Sequence, residues 1–262
     1  MKQQHPQTAL ITGATGSIGQ ALCRQFAADH INLVLVTRNL QKLERLSKQL
    51  EQEFDINIEV ISLDLVDGNV VSELQSILQQ RHLKIDYLIN NAGMGFYSPL
   101  THTKPDEIDN MINLNITALV QLTRFILPSM LAQGNGRILN VASLAALQPG
   151  GPNAAVYYAS KNFVLAFNRA LSLELEKTPV TCTAFCPGPL QTDFSTKGGF
   201  ATTRLYRYFR GNVEKQVAIG YRGLFKGKRV VVPGLVNKLL AFGGEFPPRS
   251  IALLLNKFLL NK

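Results

Sequence analysis

The sequence predicts an α/β fold built on a doubly wound parallel sheet, and three observations predict it. Short β-branched and aliphatic runs alternate with longer helical stretches through most of the 262 residues. Such strand-then-helix repetition buries a parallel sheet between two helical layers. The first apolar run, Thr8-Ala9-Leu10-Ile11, leads straight into Thr12-Gly13-Ala14-Thr15-Gly16-Ser17-Ile18-Gly19 and then into a helical stretch. A glycine-rich turn between a strand and a helix lets the backbone approach a pyrophosphate at the positive end of the helix. Hydrophobic residues make up 46% of the chain, enough for one sizeable core, and no linker, repeat or low-complexity segment divides it. A single domain over 1–262 is expected.

The elements follow in order. Strands are expected at 7–12, 31–37, 57–62, 85–90, 136–142, 179–186 and 229–232, and helices at 17–29, 39–54, 67–81, within 104–134, and at 153–177. The ligand of such a sheet lies outside the carboxyl ends of its strands. At the end of the second strand the chain reads Val34-Leu35-Val36-Thr37-Arg38-Asn39. Sites that take NAD usually place an acid there for the ribose hydroxyls. Thr37 stands at that position with Arg38 next to it, and a guanidinium is a bidentate partner for phosphate. NADP(H) is therefore the expected cofactor, with Arg38 on its 2′-phosphate.

Tyr157 and Lys161 are four apart on the helix expected at 153–177, which places them on one face, one turn apart. A free phenol titrates near pH ~10, and a neighbouring ammonium is expected to lower that value. Ser143, fourteen residues before Tyr157, is expected to hold a carbonyl oxygen while Tyr157 gives or takes its proton. Spacing to Lys161 selects Tyr157 over Tyr158, which is expected to pack.

With the glycine turn, Asn90-Asn91-Ala92-Gly93 after the fourth strand, Asn115, Ser143, Tyr157 with Lys161, and Pro187-Gly188 followed by Thr192, the chain resembles the short-chain dehydrogenases/reductases from residue 7 to about 233. The resemblance implies a Rossmann-type sheet of order 3-2-1-4-5-6-7. It implies a cofactor cradle of Gly13, Thr15, Gly16, Ser17, Ile18, Gly19, Asn91, Ala92, Gly93, Pro187, Gly188 and Thr192, with Asp64 and Leu65 near the adenine. It also implies that Lys161 holds the nicotinamide ribose and that Asn115, in Leu114-Asn115-Ile116-Thr117, disrupts its helix and orders a water leading to Lys161. Homodimers or homotetramers are implied, paired through the helices at 116–134 and 153–177. One departure stands out: Ser17 replaces the usual middle glycine, and Gly16 lies one place earlier. Gly-x-x-Gly-x-x-Gly is similar to that of longer sugar-nucleotide epimerases and dehydratases, so an NAD-dependent epimerase is the alternative reading. A non-catalytic NADP(H)-sensing regulator is the alternative from another class, although such proteins commonly lose the Tyr or Lys retained here.

Net charge is +9, and it is unevenly placed: residues 1–196 carry 14 Lys and Arg against 16 Asp and Glu, whereas residues 197–262 carry 13 against 2. The excess falls on the expected substrate lid, 188–228, and on a basic amphipathic extension, 234–262. Val231-Val232-Pro233-Gly234-Leu235-Val236-Asn237-Lys238 also resembles a tail found among uncharacterised short-chain reductases related to ketoacyl and hydroxysteroid enzymes. Such asymmetry points to an anionic partner: an acyl carrier, the phosphates of coenzyme A, or an anionic membrane surface. Arg204-Leu205-Tyr206-Arg207-Tyr208-Phe209-Arg210 is read as a lid helix rather than a nucleic-acid surface.

Several classes of function are set aside. Cys23, Cys182 and Cys186 lie in apolar segments without disulfide or zinc spacing. His5, His30, His82 and His102 share no ligand spacing and none pairs with Ser143, so neither a metal nor a serine-hydrolase triad is expected. Met1–Gln7 lacks the apolar region of a secretory signal, and no uninterrupted apolar run reaches ~18 residues. A cytoplasmic enzyme, with at most peripheral membrane contact, is expected. Its substrate is expected to be an apolar ketone, such as a 3-oxoacyl thioester or a steroid-like lipid.

Overall fold

A computed structural model describes residues 6–67 and 70–261. Its strands are β1 (Thr8–Thr12), β2 (Asn32–Thr37), β3 (Ile58–Ser62), β4 (Tyr87–Asn90), β5 (Gly136–Val141), β6 (Val180–Phe185) and β7 (Val230–Val231). They form one parallel sheet in the order 3-2-1-4-5-6-7. The helices are α1 (Ser17–Ala28), α2 (Leu40–Glu53), α3 (Val70–Gln80), α4 (Pro105–Ile112), α5 (Ala118–Gln133), α6 (Ala155–Glu174), α7 (Asp193–Lys197), α8 (Arg204–Phe209), α9 (Val213–Phe225), α10 (Leu235–Glu245) and α11 (Arg249–Leu260).

Every residue of β1 and β4 is buried, because helices cover both faces. The strands therefore read as aliphatic runs rather than alternating patterns. On one face α1, α2 and α9 contribute Leu22, Phe26, Leu43, Val217 and Leu224. On the other, α3, α5 and α6 contribute Leu74, Leu122, Ile126 and Leu171. β1 lies between β2 and β4, with Leu10 opposite Val34 on one side and Leu88 on the other. The strand order reverses there, and the crevice opens above Thr12 and Asn90.

Observed element ends fall within three residues of the expected ones; of the helix expected at 67–81, residues 68 and 69 lie outside the described residues. Met1–His5 and Lys262 also lie outside them. Within 104–134 the chain makes α4, a π-turn at Asn113–Thr117, and α5. By length and composition, the combined stretch Pro105–Gln133 is long and apolar enough to cross a membrane, where the sequence reading expected no such segment. A count of uninterrupted apolar residues misses it because polar residues are interspersed. Here it is a core helix, with Leu119, Leu122, Ile126 and Met130 buried. α9 lies within the expected lid, yet it is a separate helix that packs on the sheet beside α1, with Val217 and Leu224 fully buried.

Phe26 of α1 anchors that layer, its ring 4.9 Å from Tyr221 in an edge-on contact and 5.3 Å from Tyr87. Removing a fully buried aromatic ring leaves a cavity that rigid neighbours fill poorly. Phe26→Ala is expected to destabilise the fold by about 3–5 kcal/mol in urea denaturation. A loss below about 1 kcal/mol would contradict this packing.

Candidate active site

The turn after β1 is shaped by two close approaches. Gly13 has φ +63°, and a Cβ there would lie 2.8 Å from Ala92 Cα, so a side chain would both strain the backbone and clash. A Cβ on Gly19 would lie 2.3 Å from Gly13 O, which holds α1 tight against the turn. Gly16, the N-cap of α1, makes no side-chain cap, so first-turn N–H groups remain for an anion. Its backbone is ordinary extended chain at φ −76°, ψ 162°. Its placement one residue early therefore requires no unusual geometry, and Ser17 simply begins the helix.

Thr12 ties this turn to the end of β4: its Oγ1 accepts from Asn91 N and Ala92 N, both at 3.0 Å, and donates to Ile89 O at 3.2 Å. Asn91 Nδ2 donates to Thr12 O and Gly13 O. Asn115, in the π-turn, is buried. Its amide donates to Met94 O at 2.9 Å and Ser160 Oγ at 3.0 Å, and its Oδ1 accepts from Met94 N at 2.9 Å. A Cβ on Gly93 would come within 3.2 Å of Asn115 Oδ1 and 3.3 Å of Lys161 Nζ, so the two polar groups converge on that glycine. The π-turn matches the disrupted helix implied at Asn115; the side chain braces the loop after β4 against α6.

Ser143 follows β5 and caps a short 3-10 turn, its Oγ accepting from Ala145 N at 3.1 Å. Tyr157 and Lys161 share the inner face of α6 and are both buried. The Lys161 ammonium donates to Val141 O at 3.0 Å and stands 6.0 Å from the Tyr157 ring centroid. Burial pushes the Tyr157 phenol up to about 12, partly offset by a hydrogen bond with Ser143. Burial brings Lys161 down to about 8. The expectation that Lys161 lowers the phenol is therefore corrected: desolvation dominates at Tyr157, and the ammonium is directed to a carbonyl. Tyr158 is buried, as expected of a packing residue.

These residues converge on one cleft of about 260 Å³. Gly13, Thr15, Gly16, Ser17, Ile18, Gly19, Asn91, Ala92, Gly93, Ser143, Tyr157, Lys161, Pro187, Gly188 and Thr192 all line it. Arg38, Asp64 and Leu65 line an adjoining hollow of about 190 Å³ that shares Gly13, Ala92 and Gly93. Arg38 is largely exposed, 3.8 Å from Asp64. Asn115 lines neither cavity. Free helix-terminal N–H groups, glycines that clear a path for backbone approach, and a cation at the far rim fit a dinucleotide.

Sequence reasoning missed three parts of the site. Phe194 and Phe200 place their rings 5.6 and 5.2 Å from that of Tyr157, beside Tyr206 of the expected lid helix, which lines the cleft. Gly188 is fixed by Gln216, whose Oε1 accepts from its N–H at 2.9 Å, and by Asn237 of α10, which a Cβ at Gly188 would meet at 2.0 Å. A polar ladder, Asn90 to Asn140 at 2.8 Å and Asn140 to Asn168 at 3.1 Å, joins β4, β5 and α6 beneath the cleft. Of the expected lid, Gly188, Leu190 and residues of α7 and α8 line the cleft, whereas α9 packs on the sheet.

The family model described as short chain dehydrogenase matches residues 7–199. The chain is 37% identical over 203 residues to a sulfoacetaldehyde reductase of Chromohalobacter salexigens, covering 75% of this chain and 79% of that one. A short-chain dehydrogenase from Sphingobium yanoikuyae in complex with NADPH superposes with a TM-score of 0.81 at 28% identity, over 91% of this chain and 92% of that one. The bulky-bulky ketone specific alcohol dehydrogenase from Comamonas testosteroni gives a TM-score of 0.77 at 28% identity, over 90% and 91%. The chain belongs to the short-chain dehydrogenases/reductases; it is an oxidoreductase of alcohols or carbonyl compounds that binds a nicotinamide cofactor.

The buried lysine sets a pH dependence. Its folded value near 8 lies below the ordinary 10.5, so between these values the unfolded chain binds more protons and folding gains stability as pH rises. The stability difference between the unaltered protein and Lys161→Met is expected to shift in favour of the lysine form from pH 8 to 10.5, measured by urea denaturation. A difference that stays flat over that window would contradict the burial of a titrating ammonium.

Proposed function

We propose that the protein is an NADP(H)-dependent carbonyl reductase acting on an apolar ketone. The observation that carries this reading is a second cavity, bordered by Ser143 and Tyr157, whose wall among the described residues includes Leu144, Phe200, Leu205, Leu240 and Leu259 and no charged side chain. Such a wall favours a hydrophobic ketone. An anionic aldehyde of the sulfoacetaldehyde kind would need a fixed cation there. The ketone specificity of the Comamonas relative supports the same choice.

When bound, the cofactor supplies or accepts hydride at the substrate carbon. Ser143 and Tyr157 hold the substrate oxygen between two hydroxyls. With its phenol raised to about 12, Tyr157 is protonated at neutral pH, which is the form a proton donor in reduction requires. Lys161 holds the ribose, and Asn115 fixes the loop after β4 against the helix that carries Tyr157 and Lys161. Arg38 selects the 2′-phosphate, and the NADPH of the Sphingobium neighbour supports that choice. A 3-oxoacyl thioester, free or carrier-linked, and a steroid-like ketone are the proposed substrate classes. A homodimer through α5 and α6 suits the half-exposed Leu131 and Phe163 on those helices. The epimerase reading retains one observation, Gly16, but the extended backbone there is open to any residue type.

Tyr157→Phe is expected to lower turnover of a bulky ketone by at least about 100-fold with NADPH binding retained. Tyr158→Phe should stay within about threefold, because it loses no proton transfer. The reverse pattern would place the acid on the wrong tyrosine. Arg38→Ala is expected to weaken NADPH by about 10- to 100-fold, the worth of a charge-assisted phosphate contact, and NADH far less. Equal loss for both cofactors in a fluorescence titration would remove Arg38 from phosphate selection.

A further inference from the structure

The two C-terminal helices carry an apolar surface that the reaction does not use. On α10 and its C-cap, Leu235, Leu239, Phe242 and Phe246 recur at i, i+4, i+7 and i+11 and are all exposed, while Asn237, Ala241 and Gly244 turn inward. On α11, Ile251, Leu254, Leu255 and Phe258 follow i, i+3, i+4 and i+7 and are exposed, while Ala252, Asn256 and Leu260 are buried. The helices lie side by side, since a side chain at Gly243 would meet Leu255 at 3.8 Å. A water-soluble surface rarely gathers this many large apolar side chains in one patch without a partner.

Charge decides which partner. Lys238, Arg249 and Lys257 are exposed on these helices. Arg204 of α8 stacks over Phe258 at 4.5 Å, and Arg207 continues α8. The one acid on the two helices, Glu245, is held by Arg169 at 2.8 Å. Apolar stripes flanked by cations, with the nearby acid neutralised, match the boundary between anionic headgroups and acyl chains. We propose that α10 and α11 dock this protein onto an anionic lipid bilayer.

The inner side of the same helices explains the location. Leu240 of α10 and Leu259 and Leu260 of α11 line the apolar cavity that ends at Ser143 and Tyr157. Docking the outer stripes would hold the wall of that cavity against the membrane, the phase from which a lipid ketone comes. This second step rests on the ketone-reductase reading; the docking surface does not.

Co-sedimentation of the full chain with vesicles tests the docking. The protein is expected to pellet with phosphatidylcholine vesicles containing phosphatidylglycerol, to bind pure phosphatidylcholine several-fold less, and to be released by high salt. Leu239→Glu combined with Phe242→Glu and Leu254→Glu should lower vesicle affinity by at least about tenfold. These side chains are exposed, so NADPH affinity and turnover of a small water-soluble ketone should be retained, which establishes that the variant is folded. Failure of the unaltered protein to bind anionic vesicles, or equal binding by the triple variant, overturns the proposal. So does a dimer in light scattering that the triple variant dissociates, or binding of isolated acyl carrier protein in place of vesicles, each of which assigns the patch to a protein. Vesicle binding without reduction of any ketone would leave the surface standing and remove the ketone reading alone.

Discussion

A buried ammonium with no carboxylate beside it is the constraint around which the site is built. Among the described residues no acid pairs with Lys161, and its one hydrogen bond there goes to Val141 O at 3.0 Å. Burying a charge without a counter-ion is unfavourable, and the group answers by lowering its pKa. Holding it in place takes the inner face of α6, the end of β5, and Gly93, where any Cβ would press on Nζ. The same enclosure raises Tyr157, so one burial event sets the lysine toward the neutral range and keeps the phenol protonated. The aromatic rings of Phe194 and Phe200 complete the enclosure on the substrate side.

Much of this was legible in the sequence, and the reason is local. Strand runs, the glycine turn, and the Tyr157–Lys161 spacing depend on periods of two and 3.6 residues or on a single turn, which one window of sequence contains. The residues assigned to the cofactor cradle converge because the parallel order brings the ends of β1, β4, β5 and β6 to one edge. What stayed hidden depends on contacts between distant segments. Nothing near Gly188 announces that Asn237, 49 positions later, would fill the space of its Cβ. α9 resembles any amphipathic helix, and only the sheet shows that it belongs to the core. The direction of the Tyr157 shift is not legible in the sequence, because spacing reports a neighbour's charge and not how much water both groups have lost.

The C-terminal helices join these two themes. Asn237 locks the loop at Gly188 on the cofactor side, while Leu240 and Leu259 close the apolar cavity on the substrate side. Tyr97 OH donates to Leu260 O and Arg204 N to Asn261 O, which fasten α11 to the loop after β4 and to α8. The extension is therefore part of the site's wall as well as an exposed apolar surface. Any movement of α10 or α11 on binding a partner would be felt at both ends of the cleft.

Transfer of deuterium from NADPH labelled at the reactive position of its nicotinamide ring tests the central claim most directly. With a bulky apolar ketone, mass spectrometry of the product should show one deuterium on the carbinol carbon and stoichiometric consumption of the labelled cofactor. A chain that consumes no NADPH, or that returns the label to the cofactor while inverting a sugar nucleotide, would contradict the assignment as a carbonyl reductase.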